Sequence, residues 1–386
     1  MNKNIKKRVT PKGKTRYTFS IYVGRDPRTG SPKQVRRSYE SYETAEKAFL
    51  TIQSDIANGK YSFEKQERLK FKDVYEQWFN IYADSGVKES TFATTNRMIE
   101  DHVLPAFGNT YVDKISIIDC QRAVNKWRKD APRTYKKYVR YAKRVLKFAI
   151  QLGLIENNPM ENVIFPSRDE SPKKAFDYYN KADLKTFLNT ARKFKKEAYA
   201  FFFVLAYTGL RSGEALTLEW SDIDFNKKTL SVKRTASKGM QNRNIIQSPK
   251  TSDSARTIFL DNDTLDVLTE WRKEQQKLVK VVSLKDKQFV FNGWFNNYPA
   301  NVPLSKTAVT LWNTEIAKKA HVRHIRIHDF RHTHASLLFD AGASMQDIKD
   351  RLGHSSVRTT EQVYTHLFKS RRQETTAKFS EYMGDK

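Results

Sequence analysis

Between Ala198 and Tyr207 the chain reads Ala-Tyr-Ala-Phe-Phe-Phe-Val-Leu-Ala-Tyr, with no charge and no polar face. A helix that is apolar on every side belongs in an interior. No apolar run anywhere in the chain approaches the roughly 20 residues needed to span a bilayer. The stretch is therefore expected to be the inner helix of a globular domain. Thr208-Gly209 supplies its stop signal, and Ser212 is placed to cap a short following helix, Glu214 to Leu218. Arg211 is thereby held at a helix junction beside a hydrophobic wall, where a guanidinium is costly without an anion or carboxylate.

A second constraint lies near the C-terminus, where residues 328 to 364 contain His328-Asp-Phe-Arg331-His332-Thr-His334, then Arg351-Leu-Gly353-His354, then Thr359-Thr-Glu-Gln-Val-Tyr364. The spacing of Phe330, Leu337, Leu338 and Ala341 predicts a helix stopped by Gly342. Ser344 with Asp347 opens a second short helix closed by Gly353, and Thr359 with Gln362 opens a third that carries Tyr364. His328 and Arg331, three apart, share one side of the first turn. Two imidazoles, a guanidinium and a phenol on three short elements suit a phosphodiester. The Arg pairs with its oxygens, the imidazoles move protons and the Tyr can attack phosphorus.

The 386 residues suit two or three domains, and a formal charge of +27 with a pI near 9.8 calls for an extended polyanionic partner. The N-terminus lacks the apolar core of a signal peptide. The one cysteine, Cys120, can form neither an intramolecular disulfide nor a zinc site on its own and is expected to be a small buried apolar residue. These features predict a cytosolic, soluble, basic protein without a membrane partner. Residues 1 to 39 hold 12 Lys and Arg against one acid, Asp26. Arg16 to Val23 alternates as a strand, Asp26 to Gly30 turns, Val35 to Tyr39 makes another strand, and Thr44 to Asn58 a helix. Such a sheet could lie in the DNA major groove.

After a charged linker, Tyr61 to Leu69, helices are expected from Phe71 to Tyr82, over Thr91 to Val103 with breaks at Pro105 and Gly108, over Ile118 to Lys129 and over Thr134 to Leu152. From Arg122 to Lys147 there are 11 basic residues against one acid, Asp130. Their interleaving with Trp127, Tyr135, Tyr138 and Tyr141 leaves a cationic face suited to phosphates. Beyond an interdomain linker, Phe165 to Lys174, helices are read at Leu184 to Lys193, Leu265 to Lys280 and Thr307 to Ala320. Strands are read at Thr229 to Arg234, Asn244 to Gln247 and Ala255 to Leu260. Gln247 to Arg256, with Lys250 in it, reads as a hairpin tip.

Thr208-Gly209-Leu210-Arg211-Ser212-Gly213-Glu214, then His328-x-x-Arg331, then Leu352-Gly353-His354 and Tyr364, in this order and spacing, resemble the signature of the tyrosine recombinases, the phage-integrase family. The resemblance implies an α+β multidomain protein. It would have a small N-terminal β-sheet plus helix (residues 1–63) for arm-type DNA sites and a helical core-site-binding bundle (64–168). The catalytic domain (172–386) would be mainly α with a small antiparallel sheet, and its polar tail could pass to a neighbouring subunit. The resemblance further implies that Tyr364 attacks the scissile phosphate to give a 3′-phosphotyrosyl link. Arg211 and Arg331 would clamp the non-bridging oxygens, Lys250 would protonate the leaving 5′-oxygen, His328 would shuttle the Tyr364 proton and His354 would donate to a phosphate oxygen. Lys233 and Lys238 are fallbacks for Lys250. Glu214 is expected to orient its neighbours, and His332 and His334 to bond locally.

Two successive transesterifications conserve bond energy, so no cofactor, ATP or metal is expected. The implied function is an integrase of a phage or conjugative transposon, acting as a homotetramer on double-stranded attachment sites with possible DNA-bending and excision accessory proteins. A chromosome-resolving recombinase or type IB topoisomerase-like enzyme shares the chemistry. A non-catalytic basic DNA-binding protein explains the charge but not the matched residues. His328 and His332 have metal-ligand spacing, yet no Glu follows His328 and Arg331 would repel a cation.

Overall fold

A computed structural model describes residues 2–11, 13–25, 30–59, 68–165, 177–249, 254–278, 288–295, 298–356, 380 and 382–384. The chain divides into two units, one of Met1–Gly86 with Thr95–Pro166 and one of Val87–Thr94 with Ser167–Lys386. The first begins with an antiparallel sheet, β1 (Lys6–Val9), β2 (Thr15–Arg25) and β3 (Pro32–Tyr39), followed by α1 (Tyr42–Ala57). The period-two pattern of β2 buries Phe19 and Val23 with Ala45 and Phe49 of α1. The opposite face exposes Lys6, Arg8 and Arg36, with Arg36 directly across from Ser20.

The rest of this unit is helical: α2 (Phe71–Ala83), α3 (Glu89–Met98, divided between the units), α4 (Leu104–Phe107), α5 (Ile117–Asp130) and α6 (Tyr135–Gln151). The break expected at Pro105 is not there. Between α3 and α4 the helix widens into a π turn, Ile99–Val103, in which the Leu104 N–H reaches back to the Ile99 carbonyl. The chain thereby passes a residue with no N–H to donate and stops at Gly108 instead. Cys120, Val124, Trp127, Tyr138 and Leu146 are buried in one core. Lys126, Lys129, Arg133, Lys136, Lys137, Arg140 and Arg144 stay exposed, so the cationic face read from the sequence exists.

The second unit is arranged around the apolar helix, α8 (Lys196–Thr208), packed by α7 (Lys181–Phe194), α10 (Asn262–Leu278) and α12 (Asp329–Asp340). Phe187 of α7, Phe202 of α8 and Phe330 of α12 meet with centroids 5.1 to 5.2 Å apart. Burying one such ring is worth about 2 to 3 kcal/mol, and each aromatic pair adds roughly 1 kcal/mol. This fixes α12 at the residue next to Arg331. α9 (Ser212–Leu216), α11 (Lys306–Lys319) and α13 (Met345–Leu352) complete the helices of this unit's core region. Among the described residues no helix is long and apolar enough to cross a membrane.

The three strands read from the sequence are present, but they fall in two sheets and are joined by further short strands. β4 (Ile223–Asp224), β5 (Thr229–Val232) and β8 (Arg256–Phe259) form one antiparallel sheet. β6 (Thr235–Lys238), unread in the sequence because it is short and polar, pairs with β7 (Asn244–Gln247) in another. β7 and β8 therefore do not pair as the two arms of one hairpin. β9 (Asn292–Phe295) and β10 (Tyr298–Pro303) form a further antiparallel pair.

Gly209 closes α8 in the left-handed region, with φ +66°, and a Cβ there would lie 2.6 Å from the His334 ring and 2.7 Å from the Leu352 side chain. Gly209→Ala combines backbone strain with overpacking and is expected to lower stability by roughly 2 to 5 kcal/mol. An unchanged chemical-denaturation midpoint would contradict that close approach.

Candidate active site

Arg211, His328, Arg331 and His354 come together around the end of α13. Gly353 terminates that helix in the left-handed region, with φ +65°, and the Gly353 and His354 N–H groups fold back onto the Asp350 and Lys349 carbonyls. The next three carbonyls each accept from an arginine out of a different part of the chain. Arg351 O takes Arg256 Nε at 2.8 Å, Leu352 O takes Arg331 Nη2 at 2.6 Å, and Gly353 O takes Arg211 Nη2 at 3.3 Å. Carbonyls at a helix C-terminus lack intrahelical partners and carry the negative end of its dipole, so cations are favoured there.

Arg331 is buried and also donates through Nη1 to the Gly209 carbonyl at 2.8 Å. The junction after α8 differs from the expectation in one respect: Arg211, not Ser212, occupies the N-cap position of α9. The Arg211 backbone N–H donates to Glu214 Oε2 at 3.0 Å, and its Nη1 donates to Glu214 Oε1 at 2.7 Å. Glu214 Oε2 also accepts from Arg256 Nη2 at 3.1 Å. Glu214 thus orients its neighbours, and two guanidiniums share one buried carboxylate. Burial opposes the charge of Glu214, but Arg256 and Arg211 outweigh it and hold the carboxyl below its ordinary range.

The imidazoles feel the excess positive charge. His354, directly after the α13 cap, is pushed down to about 3, first by burial and then by Arg331 and Arg211. His328 is lowered by burial and Arg331, with Asp329 opposing. His332 stands edge-on to His328 with ring centroids 5.2 Å apart, and burial with the charge of His328 lowers it to about 4. His334 is structural: its Nδ1 donates to the Ala206 carbonyl at 2.7 Å, and its Nε2 accepts from Arg351 Nε at 3.0 Å. Arg351 also donates to the Tyr207 and Phe259 carbonyls, tying α13 to α8 and β8.

Lys250 and Tyr364 lie outside the described residues. Of the fallbacks, Lys233 is paired with Asp222 at 3.1 Å, and Lys238 donates to the Asn242 carbonyl at 3.0 Å. Arg256 and Arg351 were not singled out from the sequence. Arg351 was at least visible as the first residue of Arg-Leu-Gly-His, whereas Arg256 is one polar position in a short strand. Among the described residues no group of three or more His, Cys, Asp or Glu side chains is placed to hold a metal.

Comparison with known proteins bears on the same segments. Residues 177–371 match the phage integrase family, and residues 70–128 match the phage integrase N-terminal SAM-like domain. The ICEBs1 integrase of Bacillus subtilis (strain 168) is 23% identical over 377 residues, covering 95% of this chain and 97% of the relative. A XerC-like tyrosine recombinase of Caldanaerobacter subterraneus subsp. tengcongensis is 27% identical over 378 residues, covering 92% and 93%. Among solved structures, the Tn1549 transposon integrase in complex with a circular intermediate DNA shares the fold. Its TM-score is 0.63 at 21% identity, covering 80% of this chain and 99% of that one.

The depressed imidazoles make stability depend on pH. His334, ordinarily 6.5, lies at about 3 through burial and the charge of Arg351. Below pH 6.5 the unfolded chain binds the proton that the folded chain refuses, so this contribution is complete above the ordinary value and is lost as the pH falls toward the folded one. The denaturation midpoint is expected to drop between pH 7 and pH 4 while the His334 and His354 ring resonances hold their neutral positions. A titration near 6.5 for either ring would contradict their burial beside the arginines.

Proposed function

Because this chain belongs to the phage integrase family, we propose that it is a site-specific DNA recombinase that cuts and rejoins DNA through a 3′-phosphotyrosyl intermediate, integrating and excising a mobile element. The observation that carries the reading is the convergence of Arg211, Arg256 and Arg331 on three consecutive carbonyls, with His354 next in the chain and His328 one turn before Arg331. Phosphoryl transfer depends mostly on position and on charge already in place. Arg211 and Arg331 are the groups to take the two non-bridging oxygens, and His354 donates to one of them.

Tyr364 is the nucleophile and His328 the group that receives its proton. A phenol with an ordinary pKa near 10 needs such an acceptor at neutral pH. Burial first, and then the charges of Arg331 and Arg211, lower the proton affinity of His328 in the free protein. A bound phosphodiester offsets those charges, so the imidazole becomes a better base when substrate is present. Lys250 protonates the departing 5′-oxygen, and reversal of the same steps rejoins a new strand.

The enzyme acts on double-stranded attachment sites in the bacterial cytoplasm or nucleoid, as a homotetramer that holds two duplexes and passes through a four-way junction. Its parts are an arm-binding domain (1–63), a core-site-binding domain (64–168) and a catalytic domain (172–386). Chromosome resolution by the same chemistry is the second reading, favoured by the XerC-like relative. The exposed basic face of the N-terminal sheet, suited to a second class of DNA site, supports the mobile element.

Tyr364→Phe is expected to abolish the covalent complex on a suicide DNA site while leaving gel-shift binding nearly intact, and persistence of the 3′ adduct would overturn the nucleophile. Deleting residues 1–63 is expected to weaken recombination of full sites while core-site cleavage survives. Loss of core cleavage would count against the domain division.

A further inference from the structure

The two guanidiniums that share Glu214 differ in what else they can do. The Arg256 side chain is 7% exposed, and each of its nitrogens is taken by protein: Nε by the Arg351 carbonyl at 2.8 Å, Nη1 by the Ser254 carbonyl at 3.1 Å and Nη2 by Glu214 Oε2 at 3.1 Å. The Arg211 side chain is 34% exposed and lines a cleft with Ser254, Gly353 and His354. Its Nη1 reaches Glu214 Oε1 at 2.7 Å and Ser254 Oγ at 3.5 Å, and its Nη2 reaches the Gly353 carbonyl at 3.3 Å. Arg211 Nε meets no acceptor among the described residues, so this guanidinium keeps a donor for a ligand in the cleft and Arg256 does not.

One carboxylate between two guanidiniums leaves one positive charge over. Glu214 itself is buried, with its side chain 2% exposed, so water does little to screen it. Because Arg256 is enclosed and Arg211 faces the cleft, the surplus charge is presented at Arg211. With a neutral side chain at position 256, Arg211 and Glu214 would cancel. A phosphate arriving at Arg211 would then lie beside a carboxylate no longer balanced from behind, and two anions in one poorly solvated place repel.

We propose that Arg256 is a positioning residue for DNA cleavage: it neutralises Glu214 from the buried side and so leaves the charge of Arg211 for the scissile phosphate. The inference rests on the reading of Arg211 as a ligand of the non-bridging oxygens. Arg256 touches no substrate. Its effect passes through Glu214, which fixes the orientation of Arg211 and would otherwise also consume its charge.

Three substitutions separate charge from packing. Arg256→Met keeps the length of the side chain without its charge, and Arg256→Lys keeps the charge without the fork. Glu214→Gln removes the opposing charge while leaving an acceptor for Arg211. The readout is single-turnover formation of the 3′ adduct on a suicide DNA site, at protein concentrations that saturate a gel shift, with the denaturation midpoint of each variant taken alongside. Arg256→Met is expected to slow the adduct roughly 10- to 100-fold, and the same change in the Glu214→Gln background to cost no more than about twofold, the scatter of independent sites. Arg256→Lys is expected to react well above Arg256→Met. The double variant also covers a failure of Arg256→Met to fold, since the buried carboxylate left without its partner is gone. An equal loss in both backgrounds, or an Arg256→Lys rate as low as that of Arg256→Met, would leave Arg256 a role in packing only and defeat the proposal. If the wild-type protein forms no adduct, the recombinase reading fails and takes the proposal with it, whereas an active wild type with uncoupled variants removes the proposal alone.

Discussion

Three successive carbonyls at the end of an eight-residue helix organise the C-terminal unit. A helix of that length is marginal by itself. The last turn of α13 is made definite by the left-handed Gly353 and by the guanidiniums that its free carbonyls accept. Each partner comes from a different element: Arg211 from the α8–α9 junction, Arg256 from β8 and Arg331 from α12. The helix end is therefore where the layers of the domain meet, and the residue that follows it, His354, is placed as a result.

This arrangement also sets the electrostatics. One buried carboxylate, Glu214, serves both Arg211 and Arg256, while Arg331 is held by neutral carbonyls at Gly209 and Leu352. Burial lowers the pKa of His328, His332 and His354, and neighbouring positive charge, strongly felt in a poorly solvated place, lowers each further. The positive field is built into the fold before DNA arrives, so little reorganisation is needed when a phosphate enters. A fixed field of this kind favours the charge that develops on phosphorus oxygens during transfer.

Much of this was legible in the sequence. The apolar run of α8, the glycine after it, the three-residue spacing of His328 and Arg331 and the Ser344–Gly353 helix all depend on local rules, and local rules survive folding. What was not legible depends on distance along the chain. Arg256 meets Glu214 across 42 residues, and Lys88 meets Pro249 across 161. A lysine just before a helix has no mark that distinguishes a backbone anchor from a solvated charge. Ser212 looked like a cap because of its hydroxyl, but the glutamate two residues later captured the preceding N–H first. Pro105 looked like a breaker because periodicity assumes a constant pitch, and a π turn alters the pitch.

The arginines that converge on the end of α13 have a genetic consequence. Residues that share one support do not fail independently. Once Gly353 or Leu352 is altered enough to unwind the final turn, a later substitution at Arg256 or Arg211 has little left to remove, so the combined lesions would mask one another. Strong epistasis among positions so far apart in the chain would then trace the outline of a single helix end.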